Sequence, residues 1–415
     1  MCGIAAEFWY GESGGRVDVA KLERARERMK SRGPDGAGLW VSPDQRVGLA
    51  HRRLAILDLR PEANQPMSDD TGQLWVVFNG EIYNFRDLRR DLEVRGYRFR
   101  TTSDTDVLLK GWAEYGAGVL PRLRGMFAFA VWDGRERCLY AGRDPFGIKP
   151  LYYADDGKCL RLASQVRALL TWDEIDTRLN PAGHVGFMLW GHVPDPFTLY
   201  EGITALPAGA LLICKPGQGV RVESYSDIAR IVVEGHRSKR EVSSGELRET
   251  LEDSVRHHLI AGVPVGLFLS SGVDSTHTGM VAAKLHPRIV AVTLGLEEYK
   301  GTPADETVWA QRTARQHGME HKVVWSSQSD ADLEKVLAAM DQPSIDGVNT
   351  YLVSQAAAAV GLKVALSGLG GDELLGGYAT FGRLPALARF LRTGPLGRTV
   401  LRALARLAPR RQRAK

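Results

Sequence analysis

The sequence predicts two successive domains, an α+β domain of layered antiparallel sheets with helices and an α/β domain with a doubly wound parallel sheet. Residues 1–215 contain many short strands separated by Gly and Asp turns, with helical periodicity at 19–30 and 85–95. From residue 244 to 415 strands alternate with helices, which indicates a parallel sheet with ligands at the carboxyl ends of its strands. Residues 216–243 are polar and weakly patterned, so we expect a linker there.

Apolar runs of strand length occur in both regions. In the first region they are Leu74–Phe78, Phe127–Trp132 and Cys138–Ala141. In the second region the strands are predicted at Val265–Leu269, Ile289–Leu294 and Lys363–Leu366, and the helices at 245–259 and 305–317. Two of these strands run into Ser/Gly-rich loops, which is where such folds bind ligands.

Composition and charge exclude several classes of protein. The chain is 44% hydrophobic and 25% charged, as expected for globular domains. The net charge of +5 comes from residues 383–415, which hold nine arginines, one lysine and no acid, so nucleic-acid binding by the whole chain is not expected. The sequence shows no membrane-span pattern, no secretory signal, and no metal or disulfide pattern among its four cysteines, which favours the cytoplasm.

Cys2 is the first candidate for a catalytic residue. Removal of Met1 would leave it with a free α-amino group, whose ordinary pKa of about 8 lies close to the value of about 8.5 for a thiol. The amine can then act as the base for the thiol, so that one residue carries both nucleophile and base. A cysteine at position two is by itself more often a coincidence than a catalytic residue. The surrounding segments must therefore supply the evidence that Cys2 is catalytic.

Six segments supply that support: Met1–Ile4, Arg32–Asp35, His51–Leu54, Asn79–Asn84, Ser103-Asp104 and Arg143–Tyr152. In this order they closely resemble the class II glutamine amidotransferases, which have an N-terminal-nucleophile hydrolase fold. The resemblance implies that Cys2 attacks the side-chain amide of glutamine and releases ammonia. It also implies that the Asn79 side chain and the Gly80 backbone N–H bind glutamine as an oxyanion hole. The alternative for Asn79-Gly80 is a hairpin turn, which this dipeptide favours.

The same resemblance assigns the rest of the glutamine site. Arg53 would hold the α-carboxylate as a planar fork, and Asp104, with Glu81 nearby, would bind the α-ammonium. Arg32 and Arg143 are interpreted as structural ion-pair residues and not as catalytic ones.

In the second region a Ser/Gly loop, Ser270–Ser275, lies between a predicted strand and a predicted helix. Backbone N–H groups and hydroxyls at a helix N-terminus bind phosphate or pyrophosphate, and Asp274 adds a carboxylate for Mg²⁺. The loop is not the G-x-x-x-x-G-K-S/T motif of ordinary ATPases. By itself it is weak evidence, since a plain strand–helix connection has the same composition.

Three further segments make the signal specific: Thr293–Leu296, Asp305-Glu306 and Ser367–Tyr378. With the Ser/Gly loop they resemble the ATP pyrophosphatases and the synthetase half of the asparagine synthetase family. The resemblance implies an ATP site made by Phe268, Ser270, Ser271, Gly272, Asp274, Ser275, Leu294, Ser367 and Gly368. It also implies Mg²⁺ between Asp274, Asp372 and the phosphates, although an acidic helix start that complements the helix dipole is an alternative for Asp372-Glu373.

Three positions depart from the pattern of that family. Ser271 stands where glycine is usual, and Gln342 stands where glutamate is common. Leu369 replaces a carboxylate that is thought to act on the adenylate or its amine partner. Because leucine can do neither, the acceptor acid could differ from aspartate.

The second region also ends early for the family, since 37 residues follow Tyr378, so residues 244–415 are expected to be an incomplete domain. The leucines of residues 384–407 have helical spacing, with arginines of residues 398–410 on another face. A basic amphipathic helix that meets a membrane surface or an acidic partner is one interpretation. Packing against the rest of the domain is favoured, because amphipathic periodicity mostly reflects core packing.

Together the two halves predict a ligase. ATP with Mg²⁺ would activate an acid as an acyl adenylate, and ammonia from glutamine would displace AMP. Aspartate is the leading acceptor and asparagine the product. The alternatives are another carboxylate, such as a cell-surface sugar acid or a natural-product precursor, and a glutaminase whose synthetase half is non-functional. Related synthetases often form homodimers, and nothing in the sequence decides the assembly.

Overall fold

The structure, a computed structural model, describes residues 1–12, 14–238, 240–327 and 332–391. Within these ranges the chain forms two antiparallel six-stranded sheets and then one parallel four-stranded sheet, which confirms the predicted fold classes. The strands of the antiparallel sheets are β1 (Gly3–Trp9), β2 (Gly36–Val41), β3 (Val47–Arg53), β4 (Met67–Ser68), β5 (Leu74–Ile82), β6 (Gly125–Asp133), β7 (Cys138–Arg143), β8 (Tyr152–Asp155), β9 (Cys159–Ala163), β10 (Thr204–Ala205), β11 (Ala210–Lys215) and β12 (Gly219–Ser224). The helices of this part are α1 (Val19–Arg28), α2 (Phe85–Val94), α3 (Asp104–Tyr115), α4 (Val166–Leu169), α5 (Pro181–Trp190) and α6 (Ile228–Ser238).

The two antiparallel sheets pack face to face in the orders β10-β8-β9-β1-β3-β2 and β12-β11-β7-β6-β5-β4. Their facing side chains form one buried cluster that includes Ile4, Phe8, Val77 and Leu212. Helices α2 and α3 cover the outer face of the second sheet, and α1 and α4 cover that of the first. Strand β1 is therefore buried on both faces, which explains why its sequence is almost continuously apolar.

The parallel sheet of the second region has the order β15-β14-β13-β16, and we propose that this domain begins at α7. Its elements are α7 (Ser244–His258), β13 (Val265–Phe268), α8 (Val273–Leu285), β14 (Val290–Leu296), α9 (Thr307–Gln316), β15 (Glu320–Ser326), α10 (Leu333–Ala339), α11 (Gly347–Ala359), β16 (Val364–Leu366), α12 (Gly371–Leu375) and α13 (Ala379–Leu391). The strand order reverses between β13 and β16. In doubly wound sheets the carboxyl ends of the two strands at such a reversal bind the ligand.

The predicted linker, residues 216–243, contains β12 and α6. Strand β12 pairs with β11, so the predicted boundary at residue 215 divides a β-hairpin. The hydrophobic pattern is weak there because β12 is an edge strand whose residues from Arg221 to Ser224 are exposed. We propose that the first domain extends to the end of β12.

Two sequence expectations concern helices. In the described ranges the structure has no helix that combines the length and the apolar character needed to cross a membrane. Most of the predicted basic amphipathic segment, residues 392–415, lies outside the described residues. Helix α13 covers only its beginning and contains Pro385.

Candidate active sites

Cys2 lies immediately before β1, where Gly3 pairs with Arg52 of β3. The chain after β3 reaches the thiol: the Leu54 N–H donates to Cys2 Sγ at 3.4 Å, and Sγ donates to the Leu54 carbonyl at 3.7 Å. The Arg32 guanidinium donates to the Cys2 carbonyl at 2.9 Å. The candidate nucleophile is thus held from both sides at the start of a buried strand.

Burial shifts the pKa values of the Cys2 thiol and of the N-terminal amine in opposite directions. Burial raises the pKa of the Cys2 thiol above its ordinary value, so the thiol is protonated at neutral pH. Burial also lowers the pKa of the N-terminal ammonium, here that of Met1, to about 5. This amine belongs to Met1, whereas the proposed base is the α-amine that Cys2 would carry after removal of Met1.

Asn79 lies in the middle of β5, opposite Ala128 of β6, so the hairpin-turn interpretation of Asn79-Gly80 is wrong. Its side chain is buried, with 1% of its surface exposed. Neither Nδ2 nor Oδ1 has a hydrogen-bond partner among the described residues. The amide lines the same pocket as Cys2, hereafter the Cys2 pocket. A buried amide without a partner is costly in a folded protein, which points to a ligand as its partner.

The position of Gly80 in the strand decides the direction of its N–H. Successive backbone N–H groups of a strand point to opposite edges, so residues 78, 80 and 82 donate to the same side. The Phe78 N–H donates to Gln65 Oε1 at 2.6 Å, and the Ile82 N–H donates to Asp104 Oδ2 at 2.9 Å. The Gly80 N–H therefore points between these two side chains, both of which line the Cys2 pocket. A Cβ at Gly80 would lie 2.4 Å from the Met126 carbonyl oxygen, so the close approach of β6 requires glycine.

Two acids and a lysine line the same pocket. Burial raises the pKa of Asp104 to about 6, and burial together with the neighbouring Asp104 raises the pKa of Glu81 well above its ordinary value. Burial lowers the pKa of Lys149, and Glu81 acts in the opposite direction. No role was predicted for Lys149 from the sequence. The sequence feature that could have indicated a role for Lys149 is its place in the apolar stretch Ile148-Lys-Pro-Leu151. In the structure the Arg143 guanidinium donates to the Lys149 carbonyl at 3.1 Å.

Arg53 lines the pocket, and 7% of its surface is exposed. Its Nη1 donates to the Arg60 carbonyl at 2.9 Å and to Asn64 Oδ1 at 2.8 Å, and its Nη2 donates to the Leu57 carbonyl at 3.3 Å. These bonds hold loop 54–64, which forms one wall of the pocket. Binding of a substrate carboxylate by Arg53 stays a prediction, since in the structure its amino groups bind this loop.

The second site is a cleft of about 710 Å³ at the carboxyl ends of β13, β14 and β16. Its size is typical of small-molecule sites. Eight of the nine residues predicted to bind ATP line it: Phe268, Ser270, Gly272, Asp274, Ser275, Leu294, Ser367 and Gly368. Ser271 instead lines an adjoining cavity of about 470 Å³ with Glu306 and Trp309. The cleft residues Asn349 and Tyr299 carried no sequence signal.

The two Gly-rich loops contact each other in this cleft. In the first, the Gly272 N–H donates to Ser270 Oγ at 3.1 Å, and Gly272 is the N-cap of α8. A Cβ at Gly368 would lie 2.8 Å from the Ser275 backbone nitrogen, and one at Gly371 would lie 2.4 Å from Asp274 Oδ2. Glycine in the second loop is thus required by the close approach of the first. Loops of this kind at a helix N-terminus can bind phosphate through backbone N–H groups and hydroxyls.

Asp274 and Asp372 both line the cleft, as the predicted metal site requires. Within the described ranges no group of three or more His, Cys, Asp and Glu side chains is placed to hold a metal ion. Two carboxylates fit Mg²⁺, which takes its other ligands from phosphates and water. Leu369, with 90% of its surface exposed, also lines the cleft.

Comparison with known proteins identifies both domains. Residues 1–226 match a family described as glutamine amidotransferase domain, which gives the class of the first domain. Residues 246–415 match the family described as asparagine synthase. The chain belongs to the glutamine-hydrolysing asparagine synthetase family.

Three relatives show the extent of the similarity. The chain is 33% identical to glutamine-hydrolyzing asparagine synthetase 1 of Bacillus subtilis, over 100% of this chain and 65% of that protein. It is 32% identical to amidase chry2 of Gibberella zeae, over 92% of this chain and 60% of that protein. It is 30% identical to putative glutamine-hydrolyzing asparagine synthetase 2 of Methanocaldococcus jannaschii, over 92% of this chain and 76% of that protein. The chain thus spans less than two thirds of the first two relatives.

Proposed function

We propose that this chain is an ATP-dependent amide ligase that hydrolyses glutamine for its ammonia and has aspartate as its preferred acceptor. The observation that carries the proposal is the buried Asn79 amide in the Cys2 pocket, which has no hydrogen-bond partner among the residues that the structure describes. The second support is the presence, in the same chain, of a cleft in which two Gly-rich loops meet two carboxylates.

In the proposed first reaction Cys2 Sγ bonds to the amide carbon of glutamine while the α-amine of the processed N-terminus takes the thiol proton. The Asn79 Nδ2 and the Gly80 N–H stabilise the oxyanion that forms. When the C–N bond breaks, the amine returns the proton to the leaving nitrogen, which departs as ammonia. Water then hydrolyses the thioester, giving glutamate and the free thiol. Asp104 provides the negative charge that recognises the α-ammonium of the substrate, with Glu81 beside it.

In the proposed second reaction a carboxylate oxygen of the acceptor attacks the α-phosphorus of ATP and pyrophosphate leaves. Backbone N–H groups and hydroxyls of the two Gly-rich loops hold the phosphates. Asp274 and Asp372 would hold Mg²⁺, which would supply charge neutralisation at the phosphates. Ammonia then attacks the acyl carbon and AMP leaves, which yields the amide.

A second candidate is an amide ligase for a carboxylic acid other than aspartate. Leu369 favours it, because an exposed leucine lies in the cleft where the family pattern has a carboxylate. The similarity to a protein named as an amidase agrees with a broader range of substrates. A glutaminase with a non-functional second domain is the third candidate.

The test is ATP–pyrophosphate exchange with Mg²⁺, with and without aspartate, beside an assay of glutamine hydrolysis. Aspartate-dependent exchange supports the first candidate. Exchange that requires another acid from a panel of carboxylic acids supports the second, and hydrolysis without any exchange supports the third. Cys2→Ala is the control, since it must abolish hydrolysis and leave the exchange intact. Loss of neither activity in that variant would contradict the assignment of the nucleophile.

A further inference from the structure

One wall of the Cys2 pocket is attached to the second domain. The part of that wall concerned is loop 54–58, the first half of loop 54–64, whose residues Leu54, Ile56 and Leu57 line the pocket. The Gly262 N–H, in the segment that leads into β13, donates to the Ile56 carbonyl at 2.9 Å. The two domains therefore share a main-chain hydrogen bond at the pocket wall.

A second attachment passes through Asp35. Asp35 Oδ2 accepts the Ala55 N–H at 2.9 Å and also binds Lys363 Nζ at 2.9 Å, across 328 positions of the chain. Burial acts to raise the pKa of Asp35, but Lys363 and the Ala55 N–H together hold it below its ordinary value. One carboxylate oxygen thus joins the pocket loop to a cation of the second domain.

The two residues of the second domain that hold the loop, Lys363 and Gly262, lie just before two neighbouring strands. Lys363 immediately precedes β16, and Gly262 precedes β13 by three residues. The two strands are neighbours, with Val265 opposite Val364. The pocket loop therefore contacts the chain at the starts of β13 and β16, two neighbouring strands whose other ends carry the Gly-rich loops of the cleft.

We propose that Lys363 is a positioning residue for glutamine binding, acting through Asp35 on loop 54–58 of the other domain. The inference rests on the proposed glutamine hydrolysis. Because the Leu54 N–H contacts Cys2 Sγ and Ala55 follows it, the Asp35 bond sets the distance between the pocket wall and the nucleophile. The lysine does not touch the pocket; it orients the carboxylate that holds the loop.

The experiment is a double-mutant cycle with Lys363→Met and Asp35→Asn. Asparagine keeps an oxygen for the Ala55 N–H but loses the ion pair, so each single variant should raise KM for glutamine about threefold with kcat unchanged. The double variant should be no worse than either single one, and Lys363→Arg should restore the wild-type KM. The matched control is Lys322→Met, because Lys322 is as exposed as Lys363, at 43% and 42%, but pairs with Glu320 on its own strand.

Amide hydrogen exchange of the peptide covering residues 54–58 gives a readout independent of turnover. Lys363→Met should accelerate exchange there and Lys322→Met should not. Unchanged exchange and unchanged KM in Lys363→Met, or additive effects in the double variant, would overturn the inference. If the wild-type protein does not hydrolyse glutamine, the proposed function fails, while the exchange data still decide whether Lys363 orders the loop.

Discussion

The carboxylate of Asp341, in the second domain, accepts the backbone N–H groups of Val166 and Arg167 at 2.7 and 3.1 Å. These are the first residues of α4 in the first domain, and in the described structure the N-cap residue Gln165 makes no side-chain capping bond to the helix. The Arg167 guanidinium donates in return to the carbonyls of Ala338 and Ala339 at 2.7 and 2.8 Å. One domain therefore supplies the helix cap of the other, and each satisfies backbone groups that its partner leaves open.

Asp341→Ala should loosen the contact between the domains. The substitution leaves two N–H groups without an acceptor, which costs about 1–2 kcal/mol for a lost helix cap. Differential scanning calorimetry should show a lower first transition and a wider separation between the unfolding of the two domains. Asp332→Ala is the control, because Asp332 caps α10 within its own domain by accepting the N–H groups of Glu334 and Lys335. An equal separation in both variants would contradict the role of Asp341 at the interface.

Asn79→Ala should lower kcat for glutamine hydrolysis by about 10²–10³, as for other oxyanion-hole donors. Its stability should not fall, because the amide has no partner within the described part of the chain. Asn84→Ala is the matched control: its side chain donates to the Arg122 carbonyl and accepts the Arg124 N–H, both at 2.9 Å. It should lose thermal stability and keep kcat. The reverse pattern would show that Asn79 is a structural residue.

Asp104 should give glutamine binding a pH dependence near 6. Since burial raises its pKa to about 6, the carboxylate becomes neutral below that pH and loses its attraction for an ammonium group. KM for glutamine should therefore rise as the pH falls through 6, and Asp104→Asn should raise KM and flatten the profile. A profile that is unchanged in Asp104→Asn would assign the titration to another group.

The same shift predicts an effect on stability with a defined sign. The folded state binds the Asp104 proton more tightly than the unfolded state, where the pKa is about 4, so this group makes the folded state less stable as the pH rises from 4 through 6. The asparagine of Asp104→Asn cannot ionise, so the folding stability of this variant does not decrease in this way as the pH rises. The variant should be more stable than the wild type above pH 6, by on the order of 2 kcal/mol. Denaturant unfolding at pH 4.5 and 7.5 measures it. A stability difference that does not grow with pH would contradict the shift.

Asp372→Asn and Asp274→Asn should abolish Mg²⁺-dependent ATP–pyrophosphate exchange and leave glutamine hydrolysis intact. Each removes a carboxylate from the cleft, whereas Mg²⁺ requires hard oxygen ligands. Glu373→Gln distinguishes a metal-binding role of Asp372 from an effect on the helix dipole. Glu373 lies next to Asp372 in α12, and it accepts a hydrogen bond from the Tyr378 hydroxyl at 2.8 Å. If the two acids serve only the helix dipole, Asp372→Asn and Glu373→Gln should behave alike.

Functional residues that lie in short local motifs could be predicted from the sequence. Cys2 at the chain start and the Gly-rich loop from Ser367 are recognisable because the strand, the loop and the reactive groups are adjacent along the chain. The helices predicted at 19–30, 85–95 and 245–259 occur as α1, α2 and α7 within two residues at each end. The strand β12 was missed because it is short and largely exposed, and Val220 and Val222 are its apolar residues.

The sequence by itself determined the two fold classes, the candidate nucleophile and the two Gly-rich loops, because hydrophobic periodicity and short motifs depend on neighbours in the chain. Only the tertiary structure decided the direction of the Gly80 N–H, the burial of Lys149 in the Cys2 pocket and the attachment of that pocket to Lys363. These features join residues that lie tens to hundreds of positions apart. Their contacts arise from the packing of whole sheets and domains, and no local pattern of residue types encodes such packing.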